Sequence, residues 1–435
     1  MTFLSWRRPV QSGGVLTFLC FVFCLPSLTA RGLTRDEAVR LAFAQNRELG
    51  VASLEVKRAA SRLRWSGRLE NPEFEFSFRG DGVGTDEGES NTVVALSQSF
   101  PVTAKLRHEK NLRHYQVMLA EAEIAEKRRE LAGEVDLALV ELAATRAEAG
   151  VRRRLVTLNR DLVDFLSKQA ELGVVSSLDL MQATLAGRTV DQQVDALAAE
   201  ENERAHQITR LIGAEPETPI RDEMDFQLSL KRPGIDVSLA TVLSRRPDYV
   251  LAVAKTDEAL AAVTLEEAKR WEDFTLRLFV DEEEAVDAPL GLQDNTFAGV
   301  GFSIPLPLRK RNEEGVEQAR INVEAAEKGL EAARFQIRSE CEEAFHERDN
   351  AWKLASQASG EILQLAEENL QQFRRAYEDG KASLIQVRRA QEQVLELETA
   401  SMQFLADYHR AAARVRLVTG AYPGLSIRSA KNPQN

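Results

Sequence analysis

The side chains that could hold a metal, move a proton or attack a carbon are sparse in this chain and poorly arranged for such work. The five histidines, His108, His114, His206, His346 and His409, show no ligand spacing. Aspartate and glutamate number 68, but they alternate with Lys and Arg at the i,i+4 intervals that make solvated helix faces. No phosphate loop, nucleophile elbow, zinc-helix motif or dinucleotide fingerprint occurs. The residues name no catalytic group, no cofactor and no metal site. A net charge of −12 argues against nucleic acid, whose non-specific binding needs a basic face.

The N-terminus reads as a processing segment. Arg7 and Arg8 precede an apolar stretch over 15–28 that is too short to span a bilayer. A signal peptide over 1–30, cleaved after Ala30, is the natural reading; a retained signal anchor is the alternative. Cys20 and Cys24 lie inside it and outside any lipobox. Only Cys341 then remains, in a helical pattern, so an internal disulfide is ruled out and stability must come from packing. No later stretch is apolar and long enough for a membrane helix; a membrane role would require a β-barrel.

Two turns carry the sharpest local signals. Gly173 and Gly380 can take positive φ and stop an incoming helix. Ser176 with Asp179, and Ser383 with Gln386, have the spacing of a capping box that starts the outgoing one. The helices feeding these turns are very long. From about 103 to 171, and again from about 309 to 378, apolar and small residues recur at alternating three- and four-residue steps: Leu131, Val135, Ala138 and Leu142, or Ile337, Cys341 and Ala344. That is a coiled-coil seam. At 1.5 Å per residue each rod is roughly 100 Å long, several times an ordinary globular helix.

The organisation is duplicated. Glu73-Phe74 answers Asp273-Phe274, Phe100-Pro101-Val102 answers Ile304-Pro305-Leu306, Glu171-Leu172-Gly173 answers Glu378-Asp379-Gly380, and Gly213-Ala214 answers Gly420-Ala421. The first repeat covers 31–236, the second 237–423, and a tail 424–435 follows. Short helices are predicted over 33–69 and 178–211, and over 237–271 and 384–419. Stacked end to end, each pair matches one rod in length. The breaks between them would form a belt at mid-height.

Between helices, four segments alternate apolar and polar. Phe74, Phe76 and Phe78 oppose Glu73, Glu75, Ser77 and Arg79; residues 92–100, 274–280 and 296–304 behave similarly. These define hairpins at 73–100 and 274–304, with acidic outward loops predicted over 80–91 and 281–295. Segments of this kind suit a transmembrane barrel. Four strands cannot close one, and open edges are not tolerated in lipid. Two chains would give eight strands and a filled interior; three give twelve and a pore. A soluble sheet lying on the bundle is the bland alternative.

With Leu33-Thr34-Arg35-Asp36-Glu37-Ala38-Val39, Asn71-Pro72-Glu73-Phe74, Arg245-Arg246-Pro247-Asp248, Ser303-Ile304-Pro305-Leu306-Pro307-Leu308 and the two Gly-x-x-Ser turns in this order, the sequence resembles the TolC-type outer-membrane efflux family over about 33–423. It looks closest to the heavy-metal branch (cobalt, zinc, cadmium or copper systems). The resemblance implies a mainly α fold with a small β part: a long α-helical coiled-coil barrel plus four transmembrane strands per chain, closing a twelve-stranded barrel as a homotrimer. The strands would sit in outer-membrane lipid, with the tunnel in the periplasm. Partners would be a periplasmic adaptor and an inner-membrane pump, with this chain a passive duct. It implies that Gly173, Ser176, Gly380 and Ser383 face the adaptor. Some members close the tunnel entrance with acidic residues after the second tip; the matching positions are Gln386 and Arg389, a departure, whereas Asp179 after the first tip does match. A duct for protein secretion and a soluble periplasmic coiled-coil scaffold are the competing readings.

Overall fold

The computed structural model describes residues 33–80, 88–215, 226–228, 232, 234, 237–287, 290–358 and 360–425. The expected signal peptide with Cys20 and Cys24, the first strand loop from 81 to 87, most of the mid-height belt and the end of the tail lie outside these residues. The elements run α1 (Arg35–Gln45), α2 (Arg47–Trp65), β1 (Glu73–Gly80), β2 (Ser90–Phe100), α3 (Lys105–Glu171), α4 (Ser177–Ile212), then α5 (Leu239–Arg245), α6 (Pro247–Ala268), β3 (Phe274–Asp287), β4 (Gly291–Ser303), α7 (Glu313–Ala358), α8 (Glu361–Glu378) and α9 (Leu384–Thr419). The second series repeats the first in order and type, except that α7 and α8 stand where the first has the single α3.

The first rod, α3, is one helix of 67 residues, about 100 Å long. Its seam residues Leu131, Val135, Ala138, Leu139 and Leu142 are buried against α1 and α4, together with Val39, Ile208, Ile212 and Tyr422. The second copy buries Ile337, Cys341 and Ala344 of α7 with Val242 and Val418. In each copy two shorter stretches of helix line one rod, as the length match implied. The copies join through α3, which packs on α6 and α9.

Three helical expectations need correction. The helix expected over 33–69 is broken at Asn46, which takes an extended conformation, ends α1 and caps α2 by accepting from the Leu49 N–H at 3.0 Å. The helix expected over 237–271 is broken at Arg246, extended at φ −84° and ψ 113°. The following Pro247 excludes the helical region at the residue before it and starts α6 at its first position. The second rod is not continuous. It begins at Glu313, after Asn312 takes φ 55° and donates to Glu266, and it is interrupted at Gly360, whose φ −107° and ψ −138° are non-helical. Pro305 and Gly380 stand three residues further apart than Pro101 and Gly173. The extra length lies in the connector, eight residues from Pro305 to Glu313 against four from Pro101 to Lys105, and the break falls where Ser-Gly is a weak helix former.

The four strands form a single antiparallel sheet in the order β1-β2-β3-β4. The β2–β3 ladder, from Ser90 opposite Glu284 to Phe100 opposite Phe274, fastens one copy to the other. The predicted loop over 281–295 is mostly strand: β3 continues to Asp287 and β4 starts at Gly291. Its carboxylates, which disfavour strand by propensity, are held across the ladder. The Asn91 amide donates to Asp281 at 2.7 Å and the Ser90 hydroxyl to Glu284 at 3.1 Å.

Candidate functional site

One face of the sheet carries Phe74, Phe76 and Phe78 of β1, Val94 and Leu96 of β2, Leu278 and Val280 of β3, and Val300 and Phe302 of β4. All are exposed, the β1 phenylalanines by 63–71%. Among the described residues nothing covers this apolar face. The opposite face is polar and cross-linked. Arg277 meets Glu75 at 2.8 Å, and the Ser99 and Thr275 hydroxyls share a hydrogen bond of 3.0 Å. Phe279 and Phe297 are bulky exceptions on that side. The Phe279 ring occupies the space a Cβ on Gly299 would need, 2.5 Å away, an aromatic filling a gap left by glycine. The outer edges of β1 and β4 have no strand partner among the described residues. An unpaired edge and a contiguous apolar face this large are stable only when covered.

The rods lead from the sheet to the tips, and each copy is held midway by a joint. In the first, Asn46 Nδ2 donates to the Leu211 carbonyl at 2.9 Å. In the second, Arg246 Nη1 donates to the Val418 carbonyl at 3.0 Å. Both carbonyls lie in the last turns of α4 and α9, where no helical N–H is left to donate to them. A glycine follows each: Gly213 at φ 72° and Gly420 at φ 65°. An added Cβ would come within 2.4 Å of the Gln45 carbonyl oxygen at the first and 2.9 Å of the Arg245 carbonyl oxygen at the second. Only glycine allows this approach. The fully buried Asp136 receives Arg35 at 2.7 Å, Arg416 at 2.7 and 3.0 Å, and the Tyr422 hydroxyl at 3.3 Å. At the second joint the buried Arg246 meets Asp248 at 2.6 Å and Glu340 at 2.9 Å. Burial would raise the Asp248 pKa, but the Arg246 hydrogen bonds and charge bring it below the ordinary carboxylate value. Burial, then the Asp136 charge, pushes the Tyr422 phenol well up. Cys341 lies beside this second network, its thiol raised by burial and so unreactive.

At the far end, Gly173 and Gly380 both have φ 73° and are exposed. The Val174 N–H reaches Gln169 O and the Lys381 N–H reaches Ala376 O, closing each incoming helix. The two outgoing helices start differently. Ser383 forms the expected box, its backbone N–H donating to Gln386 Oε1 at 2.8 Å. Ser176 does not pair with Asp179; its hydroxyl accepts from Leu178 N–H at 3.2 Å, because the shorter aspartate does not reach back. The tips pack on each other through Leu166, Ala183 and Leu384, with Phe165 edge-on to Tyr377 at 6.0 Å. Asp179 belongs to this contact: burial raises the Tyr377 phenol pKa and the Asp179 charge raises it further. The structure thus brings Asp179 to the second tip, commits Gln386 to a cap, and leaves Arg389 exposed. Among the described residues no group of His, Cys, Asp and Glu converges as a metal site, and no helix is long and apolar enough to cross a membrane.

The joint networks are absent from the sequence reading. Asp136 could have been found as a carboxylate inside an apolar seam with no base three or four residues away, and Arg246 by the proline after it.

Residues 239–421 match the family described as outer membrane efflux protein. The matched stretch runs from α5 to α9. Such proteins are channels rather than enzymes. Solved structures with the same fold include the outer membrane protein VceC of Vibrio cholerae (17% identity, 89% of this chain and 96% of that one, TM-score 0.67). CusC, studied for folding and transmembrane channel formation, gives 16% identity, 96% and 98% coverage and a TM-score of 0.71. The outer membrane channel CmeC of Campylobacter jejuni gives 15% identity, 96% and 94% coverage and a TM-score of 0.68. No curated protein sequence matches the chain. The match takes in the Gly420 joint, and α1 to α4 with their hairpin repeat the architecture of the matched stretch.

Proposed function

We propose that this chain is the outer-membrane duct of a tripartite efflux system. Three copies close β1 to β4 into a twelve-stranded barrel in the outer membrane, and their rods form a tunnel through the periplasm. Solutes pass down it without energy input from this component. The observation that carries the reading is the four-stranded sheet: apolar on one face, charged and hydrogen-bonded on the other, with two open edges. Lipid is the environment that covers such a face, and further copies are what remove the edges.

The exposed tips at Gly173, Ser176, Gly380 and Ser383, at the end of the rods away from the sheet, are where a periplasmic adaptor and an inner-membrane pump would dock. Asp179, Gln386 and Arg389 stand nearest the tunnel entrance in this assignment. The resemblance to the heavy-metal branch makes divalent or monovalent metal cations the first substrates to try. Deleting the gene and challenging cells with metals, dyes and antibiotics tests the reading. Sensitisation to one class, restored by the intact gene, is expected; unchanged tolerance across the panel contradicts it.

A further inference from the structure

Midway between the Gly360 break and the tips, α3, α8 and α9 leave a cavity of about 250 Å³. Leu155 and Leu158 of α3, Leu370 of α8, and Val394 and Leu395 of α9 form its apolar part, and Glu367 and Gln371 of α8 also line it. Gln391 opens into it from the α9 seam, is only 5% exposed, and its Nε2 has no acceptor. Around the rim Arg154 pairs with Glu398 at 3.2 Å, and Arg374 reaches across to the Leu158 carbonyl at 3.4 Å. Side chains thus bridge α3 to the α8–α9 hairpin at the mouth while the floor between them stays unfilled.

Protein interiors seldom leave such a space, and buried donors seldom lack an acceptor. A dry apolar cavity of about 150 Å³ holds benzene, so this one has room for a substituted ring. The unmatched Gln391 donor calls for one acceptor oxygen. The opposed charges of the Arg154–Glu398 pair at the rim favour a neutral molecule over an ion. From these we infer that the cavity is a binding site for small neutral aromatic compounds bearing a carbonyl: ketones, esters or amides of about ten heavy atoms. The ring lies among Leu155, Leu370 and Val394, and the carbonyl accepts from Gln391 Nε2. The bound molecule ties the first rod to the second hairpin roughly 15 Å above the second tip, so its occupancy opposes any motion that separates them. The site lies within one chain and does not require that the protein conduct solutes.

Crystals of the full-length protein, purified from membranes and soaked with 4-bromoacetophenone, test this. The bromine anomalous peak is expected in the cavity, with the ketone oxygen within hydrogen-bond distance of Gln391. Gln391→Met keeps the volume but removes the donor and should weaken binding about tenfold, the value of one hydrogen bond. Leu158→Trp fills the cavity and should abolish the peak, and the same crystals report whether each variant has folded. Only water in the cavity of the unsubstituted protein, or equal affinity in Gln391→Met, would overturn the assignment.

Discussion

The two joints solve one packing problem with opposite charges. In each copy a rod, a short helix pair and the last turn of a returning helix meet around a glycine, and a side chain reaches the terminal carbonyl. The first copy buries an acid, Asp136, under two arginines and a tyrosine. The second buries a base, Arg246, between two carboxylates. A duplicated fold therefore fixes the geometry of the joint and the need for a neutralised buried charge, while the sign is free to change. The carbonyl acceptors at Leu211 and Val418 are common to both, so the backbone of the returning helix is the element to which both solutions conform.

Removing either central charge should have the largest effect. Asp136→Ala leaves Arg35 and Arg416 facing one another, and Arg246→Ala strands Asp248 and Glu340. Breaking a buried pair costs about 3–5 kcal/mol. Thermal unfolding followed by tryptophan fluorescence should show large and similar losses. A small loss at Arg246 alone would mean that the second joint rests on its backbone contacts. Swapping the glycines comes next. Gly213→Ala and Gly420→Ala each force a Cβ into a carbonyl at positive φ, roughly 1–3 kcal/mol. The first should be worse, since its contact is 2.4 Å against 2.9 Å. Gly173→Ala and Gly380→Ala meet nothing within 4 Å and should cost only the left-handed strain, about 1 kcal/mol; losses as great as those at the joints would refute the distinction.

The smallest effect separates the joints by pH. Asp248 has a depressed pKa in the fold, so its contribution is complete above the unfolded carboxylate value of about 4 and is lost as pH falls through the folded one. Tyr422 has a raised pKa, so its contribution is complete below about pH 10 and is lost as pH rises through the folded value. Amide hydrogen exchange, corrected for intrinsic rate, should show acid loosening the start of α6 around Asp248 and alkali loosening the turn around Tyr422. Protection at either place that does not change with pH would argue against this assignment.

Much of the architecture was legible because it is periodic. The seam of α3, the helix from Leu384 to Thr419, the positive φ at both tips and the alternation of Phe74, Phe76 and Phe78 follow from spacing alone. What escaped was local or long-range. Asn46 reads as an ordinary polar helix residue until Leu211, far along the chain, supplies its acceptor. The carboxylates of 281–284 read as loop because their partners Ser90 and Asn91 lie in the other copy. Ser176 with Asp179 had the right spacing and the wrong reach. The cavity around Gln391 arises from three helices meeting, which no single segment records.

The open-edged sheet requires other copies of the chain to complete it. Native mass spectrometry of the protein extracted with detergent from purified outer membranes measures this directly. Particles of three chains are the predicted result. Recovery as a single chain from the periplasmic wash, with no detergent needed, would contradict it.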